Sequence, residues 1–176
     1  MRLILLGEGC QISWDVEKLE QKKDATGLFE WFLSVKFSDI NYILRKICNN
    51  DIIRPWKKVG FSDVFMDETD IRTTHIKYNE FEETVNRRAK RMIEFIKNSD
   101  RILFIRHEHS SKYTEIEEIE EFVNIIKEIN KECDFKILLF KSDNNNKKLI
   151  HETLYYMEYK DRQNLSNIID KIKNGH

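Results

Sequence analysis

The sequence predicts an α/β fold: one three-layer domain, a mostly parallel sheet with helices on both faces, in Rossmann-like layering. Three observations carry that reading. Short runs that are apolar at every position, residues 3–6, 102–105 and 137–140, have the character of strands buried on both faces. Amphipathic stretches of helical period separate them, as a parallel sheet requires. The 176 residues include five glycines and one proline and show neither a linker nor an internal repeat, so residues 1–176 form a single domain.

Taken in order, the run at 3–6 ends at Gly7-Glu8-Gly9, a strand entering a glycine turn. Ile12, Val16 and Leu19 then recur at helical spacing among Asp15, Glu17, Lys18 and Glu20. A polar stretch, 21–26, leads to the aromatic cluster Gly27-Leu28-Phe29-Glu30-Trp31-Phe32. A second helix is expected over 37–47, with Phe37, Ile40, Leu44 and Ile47 on one face and Ser38 as cap. Residues 49–70 contain Pro55 and Gly60 and suggest an irregular excursion with one short strand near 64–66. Phe81, Val85, Ala89, Met92 and Ile96 mark a helix from about 80 to 97, broken by Asn98-Ser99-Asp100 before the strand at 102–105. The strongest helical repeat, Ile116, Ile119, Phe122, Val123, Ile126 and Ile129, starts from a Thr114 cap. After a strand at 136–140 and an Asn-rich turn at 143–148, residues 154–157 supply a last strand. Leu165, Ile168, Ile169 and Ile172 supply a last helix.

Composition excludes several classes. Thirty Lys and Arg balance 31 Asp and Glu for a net charge of −1, without the basic footprint of a dedicated nucleic-acid binder. No apolar run approaches the roughly 20 residues of a membrane-spanning helix. The first residues, where Glu8 follows a four-residue apolar run almost at once, do not have the form of a signal peptide. Cys10, Cys48 and Cys133 cannot all pair within one chain, and they lack CxxC or close His spacing. The expectation is a reducing, cytoplasmic setting, with no membrane and no nucleic-acid partner.

Chemistry on a parallel sheet sits beyond the carboxyl ends of its strands. The first such end, Leu6-Gly7-Glu8-Gly9-Cys10-Gln11, puts Cys10 at the start of a helix. The helix dipole and free N–H groups there favour a thiolate. Gly7 and Gly9 would let a substrate oxygen approach backbone donors near Gly9 to Gln11, as an oxyanion site requires. A small packed thiol is the bland alternative, and it is the preferred one for Cys48 and Cys133. Gly7-x-Gly9 fails as a phosphate loop, because Ile12 stands in the third glycine position and no Gly-Lys-Ser/Thr follows.

A cysteine nucleophile needs a base. His75 lies in a connection; His107 and His109 lie at the carboxyl end of the strand at 102–105, and both His75 and His107 stay open for the role. HxEH-like metal spacing is absent around His107 and His109, so no metal is called for. No cofactor is implied either. Arg106, directly after the strand, could clamp a carboxylate or phosphate, or orient an acid.

The pairing of Leu6-Gly7-Glu8-Gly9-Cys10-Gln11-Ile12-Ser13 with Gly27-Leu28-Phe29-Glu30-Trp31-Phe32 resembles the bacterial and viral family described as papain-like cysteine peptidases (DUF1796). That family opens with an apolar strand, a Leu-Gly-x-x-Cys turn, a helix and Gly-Pro-Phe-Asp-Trp. A His-Asp-Phe-like segment, a helix bearing Arg-Arg and a strand ending in Arg follow. His75, Arg87-Arg88 and Arg106 fall in that order here, and the resemblance covers roughly residues 1–142. It implies Cys10 as nucleophile and His75 as base, with Trp31 and Arg106 shaping the site. Leu28 departs from the family's Pro. Ile76 departs from the Asp after the His, so an acid orienting His75 would come from elsewhere, with Asp63, Asp67 and Asp70 as candidates.

The leading expectation is therefore a Cys–His hydrolase or acyl transferase acting on a small-molecule or peptide substrate. A non-catalytic domain binding a small anionic or sugar-like ligand with the glycine turn, Trp31 and Arg106 is the alternative. A phosphate-handling enzyme would need an anion at the first helix N-terminus.

Overall fold

Alternation along the strands decides the layering. In the computed structural model, which describes residues 1–7, 10–18, 27–60, 63–108, 114–141 and 150–174, four strands form the main sheet. They are β1 (Arg2–Leu5), β5 (Arg101–Glu108), β6 (Asp134–Lys141) and β7 (Leu154–Glu158), ordered β1-β5-β6-β7 with every neighbouring pair parallel. Ile4, Ile102, Phe104, Ile137 and Leu139 point to one face, and Leu3, Leu5, Leu103, Ile105, Leu138 and Phe140 to the other.

Helices cover both faces. On the first face lie α2 (Phe37–Cys48), α3 (Phe81–Lys97) and α4 (Ile116–Ile129), contributing Ile40, Leu44, Val85, Met92, Phe122 and Ile126 to one core. On the second lie α1 (Cys10–Glu17) and α5 (Leu165–Lys173), which bring Ile12, Val16, Leu165 and Ile169. The chain is thus a single-domain α/β fold with a parallel sheet between helical layers. No helix among the described residues is long and apolar enough to cross a membrane.

Residues 49–70 are more ordered than their composition suggests. β2 (Pro55–Val59) and β3 (Asp63–Met66) pair antiparallel, and β4 (Arg72–Thr73) joins β3 to complete a second, three-stranded sheet. β2 escapes the alternation test because it is an edge strand with a register shift and exposed lysines. Pro55 occupies its first position, where the missing N–H is tolerated. The expected strand near 64–66 is β3, and Val64 and Met66 pack into the α2–α4 core.

Two helix starts differ from expectation. The N-cap of α2 is Lys36, and Ser38 lies inside the first turn, where its N–H donates to Glu118 Oε1 at 3.0 Å. The N-cap of α4 is Glu115, one residue past Thr114. Glu115 and Glu118 form a reciprocal capping box, so carboxylates replace the hydroxyl that sequence favoured. The first helix ends at Glu17; Leu19 and the Asn-rich turn at 143–148 lie outside the described residues.

Phe122 centres the larger core, edge-to-face with Phe37, Phe104 and Phe135 at centroid distances of 5.4, 4.9 and 6.5 Å. Phe122→Ala should cost about 3–5 kcal/mol with an unchanged denaturant slope, read by urea unfolding.

Candidate functional site

The chain leaves β1 toward the α1 face and leaves β5 toward the α4 face. Adjacent parallel strands whose connections part to opposite faces open a crevice at their carboxyl ends, the preferred place for a site in such sheets. The turn bearing Gly7 forms one wall, and Arg106 and His107 end the other strand.

Arg106 closes the crevice from below. Arg106 is 1% exposed, and all four terminal N–H groups of its guanidinium are used. Nη1 donates to the Leu6 carbonyl at 3.1 Å and to Ser34 Oγ at 2.7 Å; Nη2 donates to the carbonyls of Ser34 and Val35 at 3.0 and 3.3 Å. The group also lies 5.3 Å from the Phe37 ring centroid. Arg106 therefore binds the β1 exit to the segment after Trp31 as a support. That use replaces the open carboxylate or phosphate clamp that the sequence allowed.

Gly7 answers to the same geometry. Its φ of +84° is costly for any side chain, and an added Cβ would stand 2.6 Å from Ser34 Oγ. Gly27 is likewise forced by proximity, since a Cβ there would come within 3.0 Å of the Leu5 carbonyl.

Above this support runs a row of rings. Trp31 lies 6.1 Å from Trp14 and 5.3 Å from His75, centroid to centroid, both edge-on at 68° and 61°. Trp31 adopts φ +66°, a left-handed conformation rare for a bulky residue. Neighbouring contacts hold it. Thr73 Oγ1 donates to the Trp31 carbonyl at 3.0 Å, accepts the His75 N–H at 3.1 Å, and Leu33 and Arg72 exchange backbone hydrogen bonds. The second sheet thereby carries His75 to the carboxyl edge of the first.

Cys10 is the first residue of α1, whose first turn holds no acidic residue. Ile12 and Val16 face the sheet, so by the helical repeat positions 10 and 14 share the opposite face, where Trp14 meets Trp31. The side chains of Cys10 and Gln11 lie outside the described residues, as do Glu8, Gly9 and His109. His107 lies near the end of β5, and by alternation after Leu103 and Ile105 it faces α1 and α5, with its Nε2 shielded from solvent.

Sequence-favoured residues thus divide into two groups. Trp31 and His75 meet directly, and Gly7 and Arg106 meet through Ser34 and Leu6. His107 stands on the α1 side of the sheet. The acids considered for orienting His75 each meet a cation: Asp63 with Arg72 at 3.6 Å, Asp67 with Lys46 at 3.2 Å and Asp70 with Lys36 at 3.0 Å. Ile76 is buried in the core. Burial pushes the thiols of Cys48 and Cys133 up from the usual value, which leaves both poor nucleophiles at neutral pH.

Sequence reading missed Trp14, Ser34, Thr73 and the buried pair Glu108–Lys141, 3.7 Å apart across β5 and β6. Trp14 had a signal, the four-residue spacing from Cys10. Ser34 and Thr73 act through long-range contacts that no local pattern announces.

Gly7→Ala should cost about 2–3 kcal/mol and Ser34→Ala about 1–2 kcal/mol. In the double variant the clash with Oγ is gone, so the combined loss should fall below the sum by about 1 kcal/mol in urea unfolding.

Comparison with protein-family models, with curated proteins and with solved structures finds no match to this chain.

Proposed function

We propose that this protein is a Cys–His hydrolase or acyl transferase, with Cys10 as nucleophile and His75 as base. The observation that carries the reading is the Trp14–Trp31–His75 row. Through Trp31 it links the imidazole to Trp14, which shares a face of α1 with position 10. The resemblance to papain-like cysteine peptidases points to the same two residues, and a peptide or a small acyl compound is the substrate class it implies.

In this mechanism the Cys10 thiolate, favoured at the positive end of α1, attacks a substrate carbonyl. Backbone N–H groups near residues 9–11 hold the oxyanion. The imidazolium gives its proton to the leaving group and, as neutral imidazole, then takes one from the water or acceptor that releases the acyl group. Trp31 holds one side of the imidazole, and Arg106 and Ser34 fix the turn before Cys10. A nucleophilic thiol works under reducing conditions, so a cytoplasmic setting belongs to the proposal.

A second reading, a binding domain for a small anion, draws on an open concavity of about 540 Å³ beside the same histidine. Lys58, Thr74, Lys77, Tyr78 and Asn79 line it with His75.

Alkylation decides between them. With iodoacetamide at pH 7, Cys10 should label at least about tenfold faster than Cys48 or Cys133, followed residue by residue by mass spectrometry. His75→Ala should remove most of that advantage, and His107→Ala should change it less than about threefold. Loss with His107→Ala alone would transfer the base role. Equal labelling of all three thiols would remove the nucleophile and leave the binding reading.

A further inference from the structure

The same edge holds a feature that proton transfer does not need. Trp14 is 51% exposed, an unusual state for a tryptophan, and its ring meets a second tryptophan rather than the core. On either side of Trp31, Phe29 and Phe32 are fully buried. The left-handed φ at Trp31 turns the indole out from between those anchors and into the row. A strained backbone at a bulky residue persists where its surroundings over-determine it, and such strain clusters where ligands are clamped. Here Thr73 Oγ1 on the Trp31 carbonyl and the Leu33–Arg72 bridge supply the restraint. Two independent observations, an exposed indole and a strained one, thus coincide on one surface.

We propose that Trp14 and Trp31 form an aromatic shelf that receives a flat aromatic side chain of the substrate. The substrate class is then a peptide or acyl amide carrying an aromatic residue next to the bond attacked. This rests on the Cys10 reading, which supplies the nucleophile for the substrate carbonyl one turn away on the same helix face. The chemistry fits the shelf: an incoming ring can lie edge-on or offset against an indole, as Trp14 and Trp31 already do with each other. The apolar face of a sugar ring is the competing occupant, with polar groups beside His75, and the glucoside below separates the two.

The intact chain, labelled with ¹⁵N at tryptophan, gives the test. Three indole N–H resonances report on Trp14, Trp31 and Trp56, and Trp56 is a control on the other sheet with 47% exposure. N-acetylphenylalaninamide should shift Trp14 and Trp31 saturably and leave Trp56 in place, while N-acetylglycinamide should shift none. Trp14→Ala, an exposed position, should weaken the phenylalanine ligand about three- to tenfold, and Trp31→Phe, which keeps a flat ring, should weaken it less. Equal shifts at all three indoles, no shifts, or shifts with methyl β-glucopyranoside alone would overturn the shelf. Cys10 that labels no faster than the other thiols, with the indole shifts intact, would remove the thiolate chemistry and leave the shelf. Fast Cys10 labelling without the shifts would remove the shelf alone.

Discussion

The guanidinium of Arg106 sits at the carboxyl end of β5 with almost no solvent contact, and that position is tolerable because its terminal donors meet four oxygens. An unpaired charge there would cost several kcal/mol, so these contacts are conditions of the fold as much as additions to it. The consequence is geometric. Leu6, the last residue before the Gly7 turn, and Ser34-Val35, just past Trp31, are tied to one rigid group on the central sheet. The turn that launches α1 and the segment that presents the indole cannot shift independently. Arg suits this role and Lys would not, because one ammonium cannot reach oxygens spread across such a fork.

The second sheet completes the constraint from the other direction. β4 is two residues long, yet it hands Leu33 its backbone partners and supplies Thr73 to the Trp31 carbonyl. His75 follows two residues later, so its place depends on the small sheet, while the place of Cys10 depends on the large one. The shared element is the stretch 31–35, held by Arg106 below and by Arg72 and Thr73 beside it. Candidate chemistry therefore sits where two separately built sheets touch, and a single strained residue, Trp31, forms the seam.

How much of this could be read in the sequence follows from the range of each interaction. Leu3 to Leu6, Ile102 to Ile105 and the Ile116 to Ile129 repeat announce buried strands and an amphipathic helix through neighbours alone, and the layered α/β architecture follows from them. Cys10 at a helix start and Trp31 in an aromatic cluster were legible for the same reason. The strand Pro55–Val59 was not, because its outward lysines hide the alternation. The helix caps were misplaced by a residue or two because carboxylates took over from hydroxyls. Arg106 was found as a residue out of place after an apolar strand. Its partners lie about 70 and 100 positions earlier in the chain, and no local pattern could say that it would serve carbonyls instead of a ligand.

The two histidines differ in a way that bears on the base. A general base must reach the thiol, release its proton to a leaving group and then accept one from water, so its ring needs a path to solvent as well as to sulfur. His107 belongs to a strand paired along its length with β6, and its Nε2 is shielded from solvent. His75 is exposed, follows the last strand of the small sheet, and has an indole against one side. The edge-on indole covers one flank of the imidazole without burying it. For the proposed proton shuttle, His75 thus offers the more open path to solvent, and His107 the more enclosed one.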